Sequence, residues 1–179
     1  CAYTTLDGAA VPARKRRGFA DMAVARWAPF ANPQSHVEWM GDRAMVWAWS
    51  RVQILDAGQD AEPLLAPRRV LPESLYRGQP QRAGEELVAM DVGCEGRVWR
   101  GGILAATRWW PLPPMLADWN EFRRGAGLQP AQQVPEALPY PLAERPWSAP
   151  QLRGFGEVVG QQRRLLLVIA TGLASAAIG

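Results

Sequence analysis

The first third of the chain carries a helical pattern of apolar positions. Between residues 12 and 27, apolar side chains recur at spacings of three and four, which predicts an amphipathic helix. Pro12 suits the first turn of such a helix, and Pro29 would end it. We expect the apolar face of the helix to consist of Phe19, Met22, Ala23 and Trp27.

A strand pattern follows this helix. Residues 36–40 and 43–50 predict two strands joined by a turn at Gly41-Asp42. In the second strand, three small apolar residues alternate with three large ones. Because both faces of this strand are apolar, we expect it to be covered on two sides. The two faces consist of Ala44, Val46 and Ala48, and of Met45, Trp47 and Trp49.

The middle of the chain predicts a meander of three antiparallel strands over residues 86–92, 97–100 and 103–110. Gly101-Gly102 between the last two strands is typical of a tight turn that needs positive φ. Prolines end the third strand, and the spacing then predicts a helix over residues 115–124. Its expected apolar face consists of Met115, Leu116, Trp119 and Phe122.

Prolines dominate the next part of the chain. Residues 129–150 contain six prolines and show no sustained period, which is typical of a linker that is extended or loosely packed. We therefore expect a folded domain over residues 1–128, a linker and juxtamembrane segment over 129–162, and an apolar segment over 163–179.

The apolar segment resembles part of a membrane span. Residues 165–179 contain no charged side chain. A helix of this length rises about 22 Å, against a hydrocarbon core of about 30 Å, so we interpret it as a truncated transmembrane helix; the alternative is a buried C-terminal helix. Basic residues beside a span stay on the cytoplasmic side, which predicts a cytoplasmic N-terminal domain. The predicted membrane residues begin with Arg163, Arg164, Leu165, Leu166, Leu167, Val168 and Ile169.

Composition narrows the classes of function. With 48% hydrophobic and 21% charged residues, the chain is expected to fold. One histidine and two cysteines exclude a zinc finger and a disulfide framework. The net charge of +3 does not favour a nucleic-acid partner. The basic run at residues 14–17 is either a solvated helix end or a contact with a partner or lipid.

Tryptophan is unusually frequent, with nine residues in the chain. Tryptophan is enriched at the centres of protein interfaces, but alternating tryptophans in a strand also form cores. We take one group as candidates for partner binding, namely Trp47, Trp49, Trp109, Trp110 and Trp119.

Candidate chemistry is sparse. Asp91 and Gly93 stand where a strand enters a turn, and a carboxylate there could hold a metal–phosphate; the alternative is a simple strand-ending turn. The sequence contains no Walker-type phosphate loop and no nucleophile elbow. We therefore predict no enzymatic activity, no cofactor and no metal, with Asp91 and Gly93 as weak cofactor-binding candidates.

Four stretches together resemble the cytoplasmic part of the bacterial inner-membrane L protein of type II secretion and related type IV pilus-assembly proteins. They are KRRGFADMAVARWAPFANPQSHVEW, VWAWS, RRVLPESLY and VAMDVGCEGRVWRGGILAATRWWP, and Asp91 and Gly93 match the family's DxG turn. The resemblance implies an α/β (α+β) fold, namely a reduced actin-like (ribonuclease H-like) domain with an antiparallel meander and then a single transmembrane helix.

The resemblance also implies a function. It is that of a non-catalytic, single-span scaffold that links a cytoplasmic motor ATPase to a secretion or pilus assembly platform. The implied partners are other membrane and cytoplasmic subunits and membrane lipid, without nucleic acid, and a homo-oligomer is a further option. Two alternatives stay open: an accessory membrane-anchored subunit of another bacterial complex, and a degenerate actin-like nucleotide-binding protein.

Overall fold

The computed structural model describes residues 1–50 and 70–148. Most elements in these residues are strands, and two elements are α-helices. There are also two short 3-10 helices, Ala13–Lys15 and Glu73–Leu75. The predicted membrane segment lies outside the described residues. The helices are α1 (Arg16–Trp27) and α2 (Leu116–Gly125), and the strands are β1 (Ala2–Asp7), β2 (Pro33–Met40), β3 (Arg43–Ser50), β4 (Ala83–Ala89), β5 (Cys94–Arg100), β6 (Ile103–Trp110) and β7 (Ala137–Leu138).

Sheet 1 contains three antiparallel strands in the order β1-β3-β2. The central strand β3 pairs along its whole length, so that Trp47 lies opposite Tyr3 on one side and His36 on the other. Residues 44–48 are at most 1% exposed. The prediction that this strand is covered on both faces is therefore confirmed.

Sheet 2 has the strand order β6-β5-β4-β7. The predicted meander forms β4, β5 and β6, and the chain then passes through α2 and returns as β7, which pairs parallel to β4. Gly101 and Gly102 in the β5–β6 turn have φ angles of +59° and +84°. This confirms the predicted turn, because other residues rarely adopt such angles.

The elements stack in layers around three apolar clusters. The inner cluster joins the two sheets and includes Trp47 from sheet 1 and Trp99 from sheet 2. An outer cluster joins α1 to sheet 1 through Val24 and the small residues of β3. Another joins α2 to sheet 2 through Trp119 and Phe122. The layer order is therefore α1, sheet 1, sheet 2 and α2.

The position of α1 was predicted well, but its buried face was not. Ala20 and Val24 are its buried residues, whereas Met22 is 60% and Trp27 37% exposed. The small side chains of β3 leave a shallow surface, and the small residues of α1 allow the closest approach to it. The predicted buried face included Met22 and Trp27, and for these two residues the prediction is wrong.

The predicted apolar face of α2 is confirmed only in its second half. Trp119 and Phe122 are buried, whereas Met115 is 73% and Leu116 39% exposed. Met115 precedes the helix as its N-cap residue, where a side chain no longer follows the helical spacing.

The described part of the proline-rich segment packs against the domain at several points. It contributes β7 to sheet 2. The backbone N–H groups of Ala143 and Trp147 donate to the carbonyl oxygens of Tyr76 and Leu75, both at 2.8 Å. The indole of Trp147 is only 5% exposed and belongs to the inner cluster. Residues up to 148 therefore complete the core.

The fold is a mixed α/β arrangement dominated by sheets. In residues 1–50 and 70–148, no helix is long and apolar enough to cross a membrane.

Candidate functional site

A cluster of charged side chains lies on the inner face of sheet 2. Its centre is Arg97, which is 0% exposed. The Nε of Arg97 donates to Glu95 Oε2 at 2.8 Å. Its Nη1 and Nη2 donate to the carbonyl oxygens of Arg77 and Ser74, at 2.7 and 3.0 Å. Arg97 thereby fixes the segment around the Glu73–Leu75 turn onto β5.

Glu95 is fully engaged in the same cluster. Besides Arg97, its carboxylate accepts hydrogen bonds from Ser74 Oγ at 2.9 and 3.0 Å and from Thr107 Oγ1 at 2.7 Å. A buried carboxylate needs such donors because it has lost its water. Glu95 therefore joins three separate parts of the chain and is only 7% exposed.

Glu86 is the second buried carboxylate of the cluster. It lies 3.9 Å from Arg97 Nη1 and accepts hydrogen bonds from Trp99 Nε1 at 3.0 Å, Gln81 Nε2 at 2.8 Å and Tyr140 Oη at 3.1 Å. Burial, together with the charge of Glu86, raises the pKa of Tyr140. The phenol therefore stays protonated and serves as a donor that holds the proline-rich segment.

A cleft of about 620 Å³ opens beside Glu95. Glu95 and Glu73 both line it, but Glu73 Oε1 already accepts from Arg77 Nε and from a backbone N–H. Burial raises the pKa of Tyr3, whose hydroxyl donates to the Leu104 carbonyl. The acidic groups of the cleft are therefore engaged within the domain. Its other lining residues include Cys1, Trp47, Pro72, Met90, Arg108 and Trp109.

Five exposed apolar side chains lie in the β4–β5 turn and in the segment from the end of β6 to the start of α2. We name this group of residues the Trp109 patch. Trp109 Nε1 donates to the Val92 carbonyl at 2.9 Å, which joins the β4–β5 turn to β6. The Leu112 carbonyl lies 3.6 Å from Cys94 Sγ, beside the same turn. Such a cluster is typical of a protein-docking surface. Its members are Val92 (70% exposed), Trp109 (52%), Leu112 (75%), Met115 (73%) and Leu116 (39%).

The local sequence explains why these side chains stay exposed. Pro111, Pro113 and Pro114 surround Leu112. Proline lacks an N–H group, so Pro111 cannot extend the hydrogen bonding of β6. The residue before a proline is disfavoured in the helical conformation, so Leu112 and Pro113 stay outside α2. Leu112 and Met115 are therefore held at the surface between the two elements.

The Asp91–Gly93 turn joins β4 to β5. Asp91 is exposed, and its carboxylate pairs with Arg77. Its backbone N–H donates to Glu73 Oε1 at 2.8 Å. Gly93 has a φ of +77°, and a Cβ there would lie 2.1 Å from the Trp110 carbonyl oxygen. Turn geometry and close packing therefore account for both residues.

The structure separates the five tryptophan candidates. Trp47, Trp110 and Trp119 are 1%, 8% and 0% exposed, and Trp49 is partly buried against the inner cluster. Trp110 packs against Trp119 and Phe122, with ring centroids 6.0 and 5.6 Å away. The assignment of these buried rings to a partner surface is corrected, because they fill the core. Trp109 is the exposed member of the five.

No metal centre is found in residues 1–50 and 70–148, where no three His, Cys, Asp or Glu side chains are grouped to hold an ion. Cys94 is buried in the cluster under α2, and burial raises the pKa of its thiol. A thiol in this state is a weak nucleophile. Cys94 therefore acts as a small packing residue.

Sequence reasoning missed most of the Trp109 patch and all of the buried charge cluster. The run of prolines after Trp110 was a usable signal for exposed apolar residues, whereas charges alternating along β5 look like a solvated strand face. No protein-family model, curated protein or solved structure matches the chain. The candidate site is therefore defined by geometry alone.

Proposed function

We propose that this chain is a non-catalytic scaffold subunit of a bacterial inner-membrane assembly, anchored by one span and bound to a cytoplasmic protein. The observation that carries the proposal is the Trp109 patch. An exposed tryptophan among exposed Leu, Met and Val side chains has the composition of an interface centre. In our proposal the partner is the motor ATPase of a type II secretion or type IV pilus system.

The topology of sheet 2 supports the finer fold proposal. Three antiparallel strands, a helix and a strand parallel to the first, in the order β6-β5-β4-β7, are the arrangement expected of a reduced actin-like (ribonuclease H-like) unit. Sheet 1 and α1 would form the part that precedes it. This agreement is what links the domain to the L-protein and pilus-assembly resemblance.

The state of the acidic groups supports a non-catalytic role. Asp91, the residue at the DxG position, is paired with Arg77, and Glu95 is bonded to Ser74, Thr107 and Arg97. A nucleotide-binding protein would need such a carboxylate to be free to face a metal–phosphate. The degenerate nucleotide-binding alternative is therefore the less favoured one.

The sequence supports the membrane anchor. Arg163 and Arg164 precede an uncharged run that starts with Leu165, and basic residues beside a span are kept in the cytoplasm. In this proposal the folded domain faces the cytoplasm and the chain leaves through the inner membrane.

Site-specific photo-crosslinking tests the proposal. A photoreactive amino acid is placed at Leu112 or Met115 of the full chain, and the matched control is placed at Gln132, which is also exposed. We expect a single cytoplasmic ATPase to be captured from the first two positions and not from the third. Capture of an unrelated membrane-complex subunit would favour the accessory-subunit alternative, and equal capture from all three positions would contradict a defined interface.

A further inference from the structure

Helix α1 is fixed to the domain by one of its basic residues. Arg16 Nη1 donates to the Gly41 carbonyl at 2.6 Å, its guanidinium pairs with Asp42, and its Cζ lies 5.1 Å from the centroid of the Trp39 ring. With Ala20 and Val24 buried against sheet 1, α1 presents a rigid outer face.

Helix α1 and the turn before it carry several exposed cations. Four exposed cations, Arg14, Lys15, Arg17 and Arg26, lie on or directly before α1, and Asp21 is the exposed acid of the helix. Among the described residues, none of the four cations forms an ion pair. Within the described part of the chain, no acidic side chain neutralises their charge.

An exposed apolar side chain lies in line with two of these cations. Met22 is 60% exposed, and because it follows Lys15 by seven residues and precedes Arg26 by four, these three side chains lie on one side of the helix. A helix surface that combines Lys and Arg with an exposed apolar side chain occurs in elements that bind at the interface of an anionic membrane.

We propose that the exposed face of α1 binds the surface of an anionic lipid bilayer. Its cations complement the negative headgroups, while Met22 enters the boundary with the acyl chains. A bilayer is favoured over an acidic protein because, under the proposed function on which this choice rests, the chain is anchored beside that surface.

The layer order agrees with this contact. Because α1 and α2 form opposite outer layers, a bilayer against α1 leaves the start of α2 uncovered. Met115 and Leu116 of the Trp109 patch lie there. The domain can therefore touch lipid on one side while it binds a protein on the other.

Depth-dependent fluorescence quenching tests the lipid contact in the full chain. Met22→Cys in a Cys1→Ser background carries an environment-sensitive fluorophore, and the chain is reconstituted into vesicles that contain nitroxide-labelled lipid. We expect quenching when phosphatidylglycerol is present. Quenching should fall to the level of pure phosphatidylcholine vesicles at about 1 M salt, where the Debye length is about 3 Å.

Matched charge reversals identify the residues that bind. Arg14→Glu, Lys15→Glu and Arg26→Glu together should remove the quenching. The control combines Arg82→Glu, Arg124→Glu and Arg145→Glu, which change the net charge equally at other exposed positions and should leave it intact. Circular dichroism checks that both variants fold.

Three results would overturn the proposal: no quenching with phosphatidylglycerol, equal quenching in pure phosphatidylcholine, or equal loss in both triple variants. Crosslinking of the α1 face to an acidic protein, without quenching in anionic vesicles, would also overturn it. The proposed function fails separately, through the crosslinking probes at Leu112 and Met115.

Discussion

Two neighbouring residues of β6, Trp109 and Trp110, belong to different regions of the molecule. Trp110 is 8% exposed and packs with Trp119 and Phe122 under α2, whereas Trp109 is 52% exposed and lies on the patch with Val92. Successive side chains of a strand point to opposite faces. The same residue type therefore supplies core stability at one position and stays exposed at the next.

Tryptophan content alone therefore does not locate an interface. A tryptophan ring contributes several kcal/mol whether it is buried in its own domain or in a complex. Which of the two applies depends on the neighbouring elements, here α2 on one face of β6 and the open cleft on the other. Substitutions in the two regions should therefore differ in their effect on stability.

The largest expected loss of stability follows from a substitution in the core under α2. Trp119→Ala removes a fully buried ring that contacts Trp110 and Phe122, and it should lower the free energy of unfolding by about 3–5 kcal/mol. Thermal unfolding should show a melting temperature lower by roughly 10 °C. A loss below about 1 kcal/mol would mean that this region is not the core.

The buried charge cluster should be almost as sensitive. Arg97→Leu leaves Glu95 and Glu86 buried without their cation, and breaking such a cluster costs about 3–5 kcal/mol. Urea unfolding measures the loss. Adding Glu95→Gln to Arg97→Leu should recover part of it, because one uncompensated charge is then removed. If the double variant were less stable than the single one, the electrostatic explanation would be wrong.

A smaller effect is expected at Gly96, which lies directly beneath the aromatic rings. A Cβ at this position would lie 2.8 Å from carbon atoms of both Trp110 and Trp119. Gly96→Ala should therefore destabilise the domain by about 1–3 kcal/mol through overpacking. Gly18→Ala on the exposed side of α1 is the control, since its Cβ meets nothing within 4 Å. That change should stabilise the helix by up to about 1 kcal/mol, and equal effects at both sites would contradict the packing model.

Local patterns along the chain were enough to predict much of this fold. The period-2 alternation of β3, the meander and the Gly101-Gly102 turn each depend on short-range sequence. Strand β1 was missed because its pairing partner β3 lies about forty residues away, and a short run with two threonines has little apolar alternation of its own. A short stretch of sequence does not show which distant strand will pair with it.

The candidate site was harder to predict for a related reason. Glu95 and Arg97 alternate with small or apolar residues in β5, the pattern of a solvated strand face, yet they are buried by the segment around Ser74 and by Trp147. The turn at Asp91 was located correctly, but its ion pair with Arg77 depends on tertiary structure. Similarly, the sequence does not show which face of β6 is covered by α2, and that placement decides whether Trp109 or Trp110 stays exposed.

The smallest effect on stability is expected at Trp109 itself. Trp109→Ala removes an exposed ring and one hydrogen bond to the Val92 carbonyl, which should change the free energy of unfolding by less than about 1 kcal/mol. Trp27→Ala, at the partly exposed end of α1, is the matched control for loss of a surface tryptophan.

The most direct test of the central claim measures partner affinity and stability on the same Trp109→Ala sample. The partner is the protein that is captured from Leu112. The account predicts that Trp109→Ala unfolds like the wild type but binds that partner about 30-fold more weakly, which corresponds to about 2 kcal/mol, while Trp27→Ala binds normally. Unchanged affinity in a folded Trp109→Ala protein, or unfolding as severe as that of Trp119→Ala, would contradict it.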